Sequence, residues 1–305
     1  MYVIWNLTRV CPWKCKFCCV SAMNATKGKN WQQLRASELT LEQKMEVLSR
    51  IVKESMTIDF SGGDPLYFDE DRAVVEKATE LMPADKINVS MTGCELTKGK
   101  IELLKKVNMI EFTLDNLLAI ENPYRPRGFN LASMKAMRRL VDAGIMVSAV
   151  TILYKPTMTQ ENLSSIYEWL CRHGIQEWDI LKFYPVGRGM DYLDVAPTDQ
   201  QYIEAINYLR SLKGSTHISF QHSLRVVEGT DRCHAAVNSI GVLPDGEVTA
   251  CAWALDQNGC SFDGFRIGKL PEESLNAILK RAHTELGYDQ RAKYCRAELC
   301  ARAMK

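Results

Sequence analysis

Cys11, Cys15 and Cys18 lie in the stretch "TRVCPWKCKFCCVS", where four cysteines fall within nine positions. The spacing C-x3-C-x2-C puts three thiols on one short loop, directly after the run "MYVIWNL". Three thiolates from one loop can hold three irons of a cubane cluster and leave the fourth iron without a protein ligand, an open position of the kind a catalytic metal site keeps. Zinc, or the accident of a cysteine-rich chain, are the alternatives that the triplet alone leaves open. Cys19 is expected to point away from its neighbour on the loop and to be structural.

A second stretch with chemical potential is "DFSGGDPL", residues 59–66. Gly62 and Gly63 let a backbone pass close to a ligand, and Asp64 and Pro65 set the path that follows. In isolation Gly-Gly-Asp is a plain turn; its place behind a predicted strand gives it weight. The last third of the chain holds Cys233, Cys251, Cys260, Cys295 and Cys300. "CHAAVNSIGVLPDGEVTAC" reads as a hairpin with a cysteine at each end, and "YCRAELC" adds two more thiols, a set that tetrahedral zinc would also accept.

The bulk composition narrows the function classes. The chain has 305 residues, 46% of them hydrophobic, with 38 basic and 37 acidic residues for a net charge of +1. No broad positive field draws it to nucleic acid or anionic lipid, so small molecules or neutral peptides suit it better. The longest apolar run, "GIMVSAVTILY", is too short to cross a membrane. No signal peptide is visible, and eleven cysteines, an odd number, read as metal or redox chemistry in a cytoplasmic protein rather than as a disulfide framework.

These residues must be positioned by strands and helices that alternate. Strands are predicted at 2–7, 56–60, 87–91, 109–115, 145–153 and 178–184, with amphipathic helices at 40–53, 69–82, 97–106, 130–143, 160–173 and 198–212. Thr40 with Gln43 forms a candidate capping box. A strand-helix unit repeated six times predicts a parallel sheet curled into a partial (β/α)6 barrel with chemistry at the C-terminal strand ends; an open doubly wound sheet is the rival. After residue 215 the pattern changes to short strands, with Asp245-Gly246 as a hairpin turn and a helix at about 271–285. The expected division is a barrel over 1–215 and a small α+β domain over 216–305.

In this order, the motifs resemble the radical S-adenosylmethionine (SAM) superfamily. Cys11, Cys15 and Cys18 match the cluster triplet, Phe17 fills the aromatic position before the last cysteine, and "GGDP" at 62–65 matches the Gly-Gly-Glu-Pro segment that holds the methionyl amino group, with Asp64 replacing Glu. The resemblance implies a 4Fe-4S cluster whose open iron is chelated by SAM, reductive SAM cleavage, and hydrogen abstraction from substrate by a 5'-deoxyadenosyl radical. It also implies an electron donor of reductase or flavodoxin type. The hairpin, with "FRIGKLPEESLNAIL" after it, looks like the SPASM and twitch domains that hold auxiliary clusters; the cysteine count matches the shorter twitch form, with one 4Fe-4S cluster on Cys233, Cys251, Cys295 and Cys300, or with Cys260 displacing one of them. His234 reads as a packing residue, and Cys94 and Cys171 as buried structural thiols.

The remaining expectations are finer. Ser90, Thr92, Asp115 and Thr151 lie near strand ends where inward polar groups could touch SAM. Arg125 and Arg127 in "PYRPRGF" could bind a carboxylate; "FYPVGRG" resembles the sixth-strand end of SPASM-type enzymes, with plain surface charge as the alternative for Arg188. By family analogy the expected activity is crosslinking or epimerisation of a ribosomally made peptide. The alternative is a sugar or aminocyclitol dehydrogenase, since the cysteine plan resembles the butirosin aminocyclitol dehydrogenase. The first strand starts at residue 2, so a peptide leader is expected to bind elsewhere or to a separate protein. Cys260, left spare by the ligand count, is the candidate catalytic hydrogen-atom donor.

Overall fold

The computed structural model describes residues 1–25, 31–117 and 122–304. The six expected strands form as β1 (Tyr2–Thr8), β2 (Thr57–Gly62), β3 (Ile87–Met91), β4 (Met109–Thr113), β5 (Val147–Leu153) and β6 (Glu177–Lys182). Between them run α1 (Leu41–Lys53), α2 (Asp69–Leu81), α3 (Lys98–Leu104), α4 (Phe129–Asp142) and α5 (Gln160–Arg172), followed by α6 (Asp199–Ser211). The Thr40–Gln43 capping box closes the start of α1 in both directions, a feature that contributes about 1 kcal/mol.

Neighbouring strands from β1 to β6 pair in parallel. Side chains from all six, among them Asn6, Ser61, Ser90, Glu111, Val150 and Leu181, face one cavity. A flat doubly wound sheet would spread these over its length, so the sheet is curled into a partial barrel. The opposite faces of the strands bury Trp5, Ile58, Val89, Phe112, Ala149 and Trp178 against the helices, the close-packed layer that fixes strand curvature.

Two elements differ from expectation. "THISFQ", assigned to the C-terminal unit, is β7 (His217–Phe220), which pairs in parallel with β6 and continues the barrel sheet. The C-terminal hairpin, β8 (Ser239–Val242) and β9 (Glu247–Thr249), does not stand apart: β8 pairs in parallel with β1, and β10 (Arg266–Lys269) follows β9, giving one ten-stranded sheet. Pairing satisfies the exposed backbone groups of the β1 edge. The helix expected at about 271–285 is α7 (Leu275–Thr284), started later because Ser274 caps it by accepting from the Ala277 N–H. A last helix, α8 (Arg296–Ala303), carries Cys300, with Cys295 at its N-cap. Among the described residues no helix is long and apolar enough to cross a membrane.

Candidate functional site

The cysteine loop leaves β1 and is held at both ends. At its start, Glu38 accepts hydrogen bonds from the Thr8 hydroxyl and the Arg9 N–H, each at 2.8 Å. Arg35 bridges Glu38 to the buried Asp71, which also pairs with the buried Lys44. Removing one member of such a buried network strands the others, at a cost of about 3–5 kcal/mol. At the far end Arg188 donates from Nε and Nη2 to the Cys15 oxygen, at 3.1 and 2.9 Å, and from Nη1 to the Ala22 oxygen at 2.6 Å. Arg188, for which surface charge was the alternative reading, is the clamp of the loop; its only sequence signal was its place in "FYPVGRG".

The double-glycine segment packs against this loop. Gly63 N–H donates to the Thr8 oxygen at 2.7 Å and Asp64 N–H to the Val10 oxygen at 3.1 Å. A Cβ on Gly63 would lie 2.0 Å from the Val10 oxygen, so here the glycines serve the approach of two backbones as well as any ligand. Asp64 does not face the cavity. Its buried carboxylate accepts from the Leu66 N–H at 3.0 Å, the Thr92 N–H at 3.2 Å and the Thr92 hydroxyl. What the segment presents to the cavity is Gly62 and Gly63.

The cavity, about 230 Å³, is lined by Cys11, Cys15 and Cys18 together with Phe17, Gly62, Gly63, Ser90, Thr92 and Arg125. The sulfur environments are specific. Trp13 N–H donates to Cys11 Sγ and Ala22 N–H to Cys18 Sγ, each at 3.4 Å. Burial pushes the Cys15 thiol up, and the neighbouring Arg125 guanidinium opposes this. Arg125 pairs with Asp115 at 2.5 Å and lies over the Phe17 and Phe129 rings at 4.7 and 4.8 Å. Its Nη2 is buried and has no hydrogen-bond partner among the described residues. Cys19, expected to point away, lines the same cavity; burial and the adjacent Cys18 push its thiol up to about 12.

Other expected site residues fall outside it. Asp115 is wholly buried, holding Arg125 and the Ile152 N–H. Thr151 faces the helical layer, donating to the Leu114 oxygen and accepting from Trp178 Nε1, because its strand register turns it from the interior. Pro65 is buried behind the loop, and Arg127 is exposed. Cys260 is also exposed, in a turn beside Asp256 and Arg9, neither in the cavity nor among the other C-terminal cysteines. Cys94 and Cys171, expected to be buried, are partly buried, and Cys171 packs against the core. His234 stacks on His222, ring centroids 4.4 Å apart, as a packing residue does.

Cys233, Cys251 and Cys295 gather on the C-terminal side. Burial pushes the Cys251 and Cys295 thiols up, the latter to about 12, and the charge of the neighbouring thiols adds to this. Burial and then Cys251, Cys300 and Cys233 raise Tyr288 in the same way. Between this group and the main cavity stand Tyr184 and Trp253, stacked at 5.9 Å with 6° between their planes. Both line the cavity, and Tyr184 also neighbours Cys295, Cys251 and Cys233. Among the described residues no three His, Cys, Asp or Glu side chains close on one point as a single ion requires.

The curled parallel sheet, with three cysteines after its first strand and two glycines after its second, defines a partial barrel of the radical SAM type. The family model of the Radical SAM superfamily matches residues 5–170, and the chain belongs to that superfamily. It is therefore an enzyme of a family that uses a 4Fe-4S cluster and SAM. Among solved structures, it is similar to SuiB of Streptococcus suis bound to its precursor peptide SuiA, with 12% identity and a TM-score of 0.70 over 93% of this chain and 64% of that one. It is also similar to anSMEcpe with bound AdoMet, with 13% identity and a TM-score of 0.66 over 94% of this chain and 81% of that one. The chain thus spans less than two thirds of the SuiB chain. A comparison with curated proteins finds no match.

The donor set fits such a cluster. Cys11, Cys15 and Cys18 line one cavity, two of the three sulfurs accept backbone N–H groups, and the third faces a guanidinium with an unsatisfied N–H. Hydrogen bonds to the sulfurs are among the features by which a protein tunes an iron-sulfur cluster.

Proposed function

We propose that this enzyme abstracts a hydrogen atom from a ribosomally made peptide, leading to a crosslink or an epimer, and that it carries an auxiliary 4Fe-4S cluster on Cys233, Cys251, Cys295 and Cys300. The supporting observation is the Tyr184–Trp253 stack, which touches the first cysteine site's cavity on one side and the second cysteine group on the other. Held by Cys11, Cys15 and Cys18, the family's cluster and SAM supply reductive SAM cleavage and a hydrogen-abstracting radical.

The chain's own groups then bind and orient. Arg125 keeps a positive charge beside Cys15, and its free Nη2 can meet a carboxylate. Gly62 and Gly63 offer backbone to an amino group, while Phe17, Phe129 and Phe183 give the cavity apolar wall. The electron comes from a reductase or flavodoxin-type partner. Eleven free cysteines suit the reducing cytoplasm.

The peptide reading is supported by SuiB, solved with its precursor peptide, and by anSMEcpe, solved with the Cp18Cys peptide. A second reading, oxidation of a sugar or aminocyclitol with the auxiliary cluster as electron acceptor, draws on the carboxyl- and hydroxyl-bearing inner wall at Asp59, Ser90 and Glu111.

The test is anaerobic reconstitution. Two 4Fe-4S clusters per chain are expected, and Cys15→Ala is expected to remove one cluster and all SAM cleavage. Stoichiometric zinc without iron would overturn the reading. Product formed in deuterated water separates its branches: solvent deuterium at the modified carbon marks epimerisation, and its absence marks a crosslink or an oxidation.

A further inference from the structure

Inside the barrel a polar row crosses six adjacent strands: Asp59 on β2, Ser90 on β3, Glu111 on β4, Ser148 on β5, Asp179 on β6 and Ser219 on β7. Ser90 Oγ lies 3.0 Å from Asp59 Oδ1 and 2.8 Å from Glu111 Oε2. Ser148 and Ser219 both donate to Asp179. A serine hydroxyl has one proton, so Ser90 satisfies only one of its two acids at a time.

Three partly buried carboxyls on the inner wall have no ion-pair partner among the described residues, and like charges held this close without one are costly to keep. Asp59 and Glu111 feel burial, Ser90 and, at Glu111, the other acids, but no cation. Among the described residues, the cations that line the cavity are committed elsewhere: Arg125 to Asp115, and Lys182 to Glu298 on α8.

An independent observation points to what fills this space. Asn6 is only 2% exposed and lines the same cavity, yet its side chain makes no hydrogen bond to any described residue. On β1 it sits one interior layer above Ile4, the residue in register with Asp59, and so on the cysteine side of the acids. A buried carboxamide with no partner, lining the same cavity as the two acids, leaves its oxygen available as a further acceptor.

We infer that Asp59, Glu111 and Asn6 form a subsite for a cationic substrate group, a primary ammonium or a guanidinium, on the inner wall of the barrel. The two carboxyls and the Asn6 carbonyl supply acceptors for the N–H donors, and Ser90 holds the acids in place. The cation gives the acids a counter-charge that no described residue supplies. The inference deepens the proposed function, on which its assignment to substrate rests: a peptide bearing lysine or arginine and a small aminosugar both carry the required group.

The test is calorimetric titration of the reconstituted full-length protein, with SAM present, using N-acetyl-lysine amide and its neutral counterpart N-acetyl-norleucine amide, then glucosamine against glucose. At least tenfold preference for one cationic probe over its neutral counterpart is expected, and the preferred pair tells peptide from sugar. Asp59→Asn with Glu111→Gln is expected to bring that preference close to one, and Asn6→Ala to reduce it several-fold. Thermal melting and iron content report whether each variant is folded, and Glu111→Gln alone replaces the double variant if that one is not. Equal binding of charged and neutral probes, or an undiminished preference in a folded variant, would overturn the subsite. Binding of the cation only when SAM is absent would also overturn it, by giving these acids to the cofactor. Because binding is read directly, a protein that prefers the cation but lacks iron refutes the proposed function alone, and one that cleaves SAM without the preference refutes the subsite alone.

Discussion

Arg188 and Cys15, 173 residues apart, are joined by a fork of two hydrogen bonds from the guanidinium to a single main-chain oxygen. The contact ties the segment after β6 to the middle of the cysteine loop. Hydrogen bonds from a charged donor contribute about 1.5–3 kcal/mol each. Arg188→Ala is therefore expected to loosen the loop and lower iron at the first site to half or less, while iron at the proposed C-terminal site is unchanged. Iron per chain and the electron paramagnetic resonance of the reduced protein measure this; full occupancy of both sites would show that the loop holds itself.

Gly63→Ala tests the contact between the two motifs. The added methyl would meet the Val10 oxygen at 2.0 Å, and main chain cannot step aside as a flexible side chain can. Loss of the first cluster is expected, with a melting temperature lowered by several degrees, the shift of roughly 2–3 kcal/mol in a chain of this size. Unchanged iron and melting would show that the loop has another seat.

Replacing Cys251 is expected to remove only the auxiliary cluster proposed above. Its thiol lies with Cys233 and Cys295, on the far side of the Tyr184–Trp253 stack from the first site. Uncoupled SAM cleavage to 5'-deoxyadenosine should persist while product formation stops. Loss of both activities in a folded variant would contradict this division of labour.

The inner-wall acids predict a pH dependence of stability. Burial pushes the pair up, Asp59 to about 7 and Glu111 to about 8, the latter also through Asp59 and Asp179. Between the ordinary carboxyl range near pH 4 and these values, the native state keeps protons that the unfolded chain has released. Stability therefore falls as pH rises from about 4 to about 8, by up to about 1.4 kcal/mol per pH unit for each proton retained, and levels off above. Melting curves of the wild type and the Asp59→Asn, Glu111→Gln variant should coincide most closely near pH 4, with the wild type increasingly the less stable toward pH 8. A constant difference across that range would show that the acids are ionised throughout.

The sequence by itself determined the alternation of strands and helices, because apolar periodicity and caps such as Thr40 with Gln43 are local properties of the chain. It also determined the order in which the cysteine triplet and the double glycine follow their strands, and the likeness to a superfamily that this order carries. Only the tertiary structure decided which polar residues meet. Strands of a curled parallel sheet are packed on both faces, so their pattern does not say which residues turn inward. Thr151 and Asp115 were expected at the site and serve the structure around it, whereas Asp59 and Glu111, visible in "MTIDF" and "MIEFTLD", face the cavity. A charged residue in the middle of each apolar strand, Asp59 in Thr57–Gly62 and Glu111 in Met109–Thr113, was the available signal. Arg188 reaching Cys15, β8 joining β1 and Tyr184 stacking on Trp253 are contacts between distant segments, set by how the sheet closes and by the space left between its edges.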